Sequence, residues 1–131
     1  MRLLGLAIAH AYAEYPKEAC GIWAGRPDGV PDHIFPLENV SPTPEKRFAV
    51  GTTQQLATWE WLDHLGLDSL VAYHSHCIGP AVPSRSDIEN HDPSMVMLII
   101  GLAAPLFPSV SMYMVKDGEL EGAVFPDWGI K

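Results

Sequence analysis

Cysteine is scarce in this chain: Cys20 and Cys77 are the only two in 131 residues. Two thiols make no disulfide framework, suit a reducing cytoplasm, and cannot build a cysteine-rich zinc site. Basic charge is also short. Eight Lys and Arg stand against 16 Asp and Glu, a formal net charge of −8, and no basic cluster exceeds Lys46-Arg47. A nucleic-acid binder needs cations to displace phosphate counterions, so no nucleic-acid partner is expected. No apolar run approaches the ~20 residues of a membrane span, and no membrane partner is expected either. Repeats and low-complexity segments are missing too.

What is present is an ordinary globular composition, 47% apolar and 18% charged. The length fits one domain over residues 1–131 and is short for two cores. The N-terminus holds Ala11-Tyr12-Ala13, which mimics a signal-peptidase site, but the apolar run before it is short. An amphipathic first helix fits better, with Leu4, Ile8, Ala11, Tyr12 and Tyr15 on one face. Pro16 ends it near Tyr15.

Residues 19–24 read as a strand closed by Gly25, and 33–37 as a second. Residues 39–46 form an exposed loop with two prolines, and 48–50 a short strand. Thr52 or Thr53 caps a helix running to about Leu65, with the apolar stripe Leu56, Trp59, Leu62 and Leu65 and a stop at Gly66. Residues 70–76 read as a buried strand ending in polar residues. After the loop 77–83, Ser84 begins a short helix that Asp92-Pro93 stops. The continuous apolar run 95–100 is expected of a central strand covered on both faces. Residues 110–115 and 120–125 form a hairpin through Asp117-Gly118, a pair suited to a tight primed turn. The sum is an α/β fold, a mixed sheet flanked by helices.

The chemistry concentrates in His74-Ser75-His76, followed after seven residues by Ser84-Arg85-Ser86-Asp87. Strand side chains alternate, so His74 and His76 project to one side, with Cα atoms about 6.5–7 Å apart. The loop then reverses the chain, and Asp87 in the first turn of the next helix offers a carboxylate to the same ion. Two His and one Asp form a three-ligand N/O site that suits zinc and leaves one position open. Zinc lowers the pKa of its water to roughly 7, and the water still needs a base. Plainer readings stand beside this one. The two His can be polar residues at a strand end, Ser84 to Asp87 resembles a capping box, and Glu18 alone is a solvated turn residue.

Together with the upstream segment Glu18-Ala19-Cys20-Gly21-Ile22-Trp23-Ala24-Gly25, the motif resembles that of the JAMM (MPN-plus) metallopeptidases. Asn39, Ser41-Pro42 and Phe48 are also similar to family positions, and the likeness runs over residues 15–122. It implies a JAMM/MPN, cytidine-deaminase-like architecture. It implies that His74, His76 and Asp87 bind Zn2+, that Glu18 is general base and then proton donor, and that Ser84 donates a hydrogen bond to the oxyanion. The nearest likeness is to compact bacterial members acting on ubiquitin-like sulfur-carrier proteins, which implies hydrolysis of an amide after a carrier's C-terminal Gly-Gly. One type there removes a cysteine attached at that point. The insertions by which eukaryotic deubiquitinases of this family grip ubiquitin are absent.

Cys77 departs from the family pattern, where proline commonly follows the second His. It is either a tolerated small residue or a thiol that reaches the open zinc position or pairs with Cys20. His91, four residues after Asp87, is either a partner for that carboxylate or an ordinary helix-end histidine. The segment 44–50 can present a strand edge to an extended tail, with Lys46 and Arg47 meeting acidic groups, or be a solvated loop. A non-enzymatic scaffold of the same fold is the alternative function, although such members usually lack the ligands this chain keeps. A zinc nucleoside deaminase requires a Pro-Cys-x-x-Cys pair that Cys20 and Cys77 cannot supply.

Overall fold

In the computed structural model, which describes residues 2–103 and 107–123, the chain folds around one mixed sheet. Helix α1 (Arg2–Glu14) leads into β1 (Cys20–Gly25) and β2 (His33–Leu37). Helix α2 (Thr52–Leu65), β3 (Asp68–His76) and α3 (Arg85–Asn90) follow, then β4 (Val96–Gly101), β5 (Ser109–Lys116) and β6 (Glu119–Ala123). The strand order is β2-β1-β3-β4-β5-β6. Only β3 and β4 pair in parallel, because the α3 crossover joins them; the other described pairs are antiparallel.

Strand alternation sorts the core into two faces. Val71, Tyr73, Leu98 and Ile100 pack with Trp23 against Leu3, Ala7 and Ala11 of α1. Met97, Ile99 and Val115 pack on the other face with Ala81 and, at its margin, Ile88 of α3. The apolar run of β4 is therefore covered on both sides, as expected of a central strand. At the β5–β6 turn, Asp117 (φ 53°) and Gly118 (φ 74°) both take left-handed backbone, as a primed turn requires. The remainder of the expected second hairpin strand, 124–125, lies outside the described residues.

Three local expectations shift. The buried face of α1 centres on Leu3, Ala7 and Ala11, with Leu4 and Ile8 at its margin, while Tyr12 and Tyr15 are 39% and 52% exposed. Alanines at 7 and 11 let the helix approach the sheet closely, a contribution that ranking by side-chain size undervalues. Helix α2 starts after Gly51 with no side-chain cap, and of its expected stripe only Leu62 is buried; Leu56 and Leu65 are exposed. It leans over a cavity, into which Trp59 faces, instead of lying flush on the sheet. Residues 48–50 join no strand, because the Ala49 N–H is taken by the Asn39 side chain (3.1 Å).

Tyr73 shows how closely β1 and β3 fit. Its hydroxyl bonds His10 Nδ1 of α1 (2.8 Å), and its ring lies over Gly21, where an added Cβ would sit inside van der Waals contact with the ring. Gly21→Ala must push Tyr73 off its His10 partner, so we expect a loss of about 1–3 kcal/mol. A urea midpoint equal to the parent's would contradict that packing.

Candidate metal centre

β3 lies between β1 and β4, with Cys20 opposite His74 on one side and Ile99 on the other. This central position fixes the backbone of both histidines. Their rings leave the sheet on the face away from α1, where His74 is buried. The chain then turns through 77–83. His76 Nδ1 lies 2.9 Å from the Pro80 carbonyl, which can only accept, so Nδ1 carries the proton and the Nε2 lone pair points inward.

Ser84 is the N-cap of α3. Its Oγ accepts from the Asp87 N–H (3.1 Å), and Asp87 Oδ2 accepts from the Ser84 N–H (2.9 Å), a reciprocal capping box. Capping and ligand presentation thus coincide. The same Oδ2 sits 3.1 Å from His74 Nε2 and 3.0 Å from His76 Nε2, while the two Nε2 atoms are 3.2 Å apart.

This arrangement fits a metal. Bonds of roughly 2.0–2.1 Å in a tetrahedral zinc site give ligand–ligand separations of roughly 3.3 Å. Neutral His76 would aim a bare lone pair at a carboxylate oxygen, so the contact needs a positive charge between the two, a metal ion or a proton on Nε2. With protons on the Nε2 atoms the rings would donate to Asp87 instead. Burial pushes the Asp87 carboxyl up, but hydrogen bonds from His74 and His76 outweigh it and hold the carboxyl well below the usual range. Burial lowers His74 more than Asp87 raises it. For His76 burial also lowers, but the bonds to Asp87 and the Pro80 carbonyl outweigh it and the net shift is upward.

Glu18 is 5% exposed, and its Oε1 has no hydrogen-bond partner among the described residues. Burial pushes its carboxyl up to about 7, while His76 pulls it down and Asp87 pushes it up. A bound cation would pull it lower. Of the sequence-derived set, His74, His76 and Asp87 converge, Ser84 caps the helix that presents Asp87, and Glu18 is buried with its carboxyl within electrostatic reach of His76 and Asp87.

Other expectations fare differently. Cys77 is not in the converging group. Its sulfur faces the Lys17 carbonyl (3.3 Å), and burial pushes its thiol up. Burial drives Cys20 to about 12. Both are free thiols outside the converging group, and burial disfavours the thiolate that nucleophilic attack needs. His91 Nε2 bonds the Met95 carbonyl (2.8 Å) instead of Asp87. A cavity of about 440 Å³ opens beside His74 and Asp87, lined also by Arg47, Phe48 and Trp59.

Two partners were not assigned roles from sequence. The Phe48 ring stacks on His74, with centroids 4.6 Å apart. Ser75, on the opposite face from the histidines, accepts from the Ala19 N–H (2.8 Å) and ties β3 to the segment carrying Glu18. Strand alternation from His74 could have placed Ser75; nothing local signals Phe48.

Residues 2–116 match the family of prokaryotic homologs of the JAB domain. The chain is 41% identical over 81 residues to a Thermus thermophilus protease named for cleaving TtuB–protein conjugates; the match spans 62% of this chain and 53% of that protein. It is 29% identical over 119 residues to the CysO-cysteine peptidase of Mycobacterium tuberculosis, spanning 88% of this chain and 80% of the relative. The solution structure of a Desulfitobacterium hafniense protein, 31% identical, superposes with a TM-score of 0.81 over 94% of this chain and 86% of that one. With this match over most of its length and a JAMM-type His-x-His…Ser-x-x-Asp centre, the chain belongs to the small bacterial JAMM/MPN family.

Proposed function

We propose that this chain is a zinc peptidase that hydrolyses the amide bond after the C-terminal Gly-Gly of a ubiquitin-like sulfur-carrier protein. The observation that carries the reading is the convergence of His74, His76 and Asp87 within 3.2 Å, together with a buried Glu18 oxygen that has no hydrogen-bond partner among the described residues. The names of the Thermus and Mycobacterium relatives support the substrate class. Zinc held by the three residues would supply Lewis acidity toward water and the scissile carbonyl.

The remaining chemistry belongs to the chain. Glu18 takes a proton from the attacking water and returns it to the leaving amine. Ser84 Oγ accepts from the Asp87 N–H through a lone pair, which leaves its own proton free for the developing oxyanion. With both thiols protonated, direct attack by water is favoured over a cysteine acyl-enzyme.

The test is incubation with a sulfur-carrier protein extended beyond Gly-Gly, followed by intact-mass analysis. Product ending at Gly-Gly is expected; cleavage elsewhere, or none, overturns the substrate assignment. In the same assay Ser84→Ala should lower kcat about 10²–10³-fold. Loss of the cap alone would cost about 1 kcal/mol of stability and leave kcat near the parent value. Ser84→Thr, which keeps both functions, should stay close to the parent.

A further inference from the structure

Glu18 lies two residues before β1, outside the sheet ladder. Both of its backbone polar groups are held by the 39–50 loop instead. Its N–H donates to the Pro44 carbonyl (2.7 Å), and its carbonyl accepts from Asn39 Nδ2 (2.9 Å). Asn39 does more. The same Nδ2 reaches the carbonyls of Pro44 (3.2 Å) and Arg47 (3.0 Å). Its Oδ1 accepts from the N–H groups of Ser41 (3.0 Å) and Ala49 (3.1 Å). One amide thus joins Glu18 to both sides of Phe48, the ring stacked on His74.

The arrangement fixes the amide's orientation. Three carbonyls surround one end and two N–H groups the other, so a flipped side chain would oppose oxygen to oxygen. Pro42 and Pro44 interrupt the loop and limit the backbone bonds it can make on its own. We propose that Asn39 is a positioning residue: it sets the Glu18 carboxylate against the metal centre by clamping the Glu18 backbone to the loop that packs on His74. This rests on the peptidase reading above for the role of Glu18.

Asparagine is the side chain that meets these demands. Asp at 39 keeps the two accepted bonds but turns an oxygen toward the three carbonyls, so Asn39→Asp should fail as Asn39→Ala does. A displacement of the base by about 1 Å costs on the order of 100-fold in rate. We therefore expect Asn39→Ala and Asn39→Asp to lower kcat about 10- to 100-fold, with zinc content unchanged and KM altered less than kcat.

The experiment is a double-mutant cycle with Glu18→Gln, run on the zinc-loaded chain with carrier cleavage followed over long incubations. If Asn39 acts through Glu18, Asn39→Ala costs nothing further in the Glu18→Gln background. An equal fold-loss in both backgrounds overturns the proposal and leaves Asn39 a loop-folding residue. Amide hydrogen exchange gives a readout independent of activity. Exchange at Glu18 should accelerate in Asn39→Ala while Val71 and Ile99 in the central strands stay protected. Unchanged protection at Glu18 also overturns the clamp. A parent chain that cleaves no carrier defeats the peptidase reading separately, and the exchange data still decide whether Asn39 holds Glu18.

Discussion

Glu18→Gln should lower kcat about 10³-fold or more while zinc stays bound at the parental level. The side chain is nearly isosteric, so packing beside β1 is kept, but the amide cannot take a proton from water. General-base assistance is worth roughly 10²–10⁴-fold, and in the proposed mechanism the same group also serves the leaving amine. Glu18 makes none of the close contacts within the His74–His76–Asp87 group, so the metal content of the variant should match the parent. The pH profile gives a second reading. Burial raises the Glu18 carboxyl, and a base must be ionised, so parental activity should fall as pH drops through that pKa. A neighbouring cation moves the limb below 7. Residual activity of the variant should lose that limb. A profile identical to the parent's would assign the proton transfer elsewhere.

The convergence of the candidate ligands was legible in the sequence where it was local. His74 and His76 share a face because strands alternate. Asp87 joins them because a seven-residue loop and a capping serine orient one short helix. These determinants lie within fourteen consecutive residues. Glu18 is distant in sequence, and its placement depends on the Ser75 hydroxyl and on a loop that bonds its backbone. Motif likeness identified it, not spacing. Asn39 was visible only as a similar position, because its partners are backbone groups whose convergence no side-chain pattern records. The face of α1 was placed correctly at Ala11 but rotated elsewhere, because Ala7 buries completely yet counts little in an apolar stripe, and Leu3 was left out of it. The 48–50 segment failed as a strand because the partner for Ala49 N–H is a side chain. Cys77 drew attention by standing next to His76, but its sulfur turns to the Lys17 carbonyl.

His76→Ala should abolish both zinc retention and peptidase activity, a rate loss of at least about 10³-fold. The variant removes one of the three proposed ligands and leaves the Pro80 carbonyl without the ring that orients it. Stability gives an independent readout. A metal that binds only the folded chain adds RT ln(1 + [L]/Kd), about 4 kcal/mol at 1,000-fold excess over Kd. The parent's Tm should therefore rise with added zinc and fall with chelator, whereas that of His76→Ala should respond to neither. A variant that keeps zinc-dependent stabilisation would mean that the ion sits elsewhere.

Zinc K-edge absorption on protein purified without chelator tests the central claim most directly, because it counts the metal and identifies the donor atoms together. The account predicts about one zinc per chain, with N/O scatterers at about 2.0–2.1 Å and two imidazole signatures. Less than half an equivalent with no uptake on addition, or a sulfur scatterer at about 2.3 Å from Cys77 or Cys20, would contradict it.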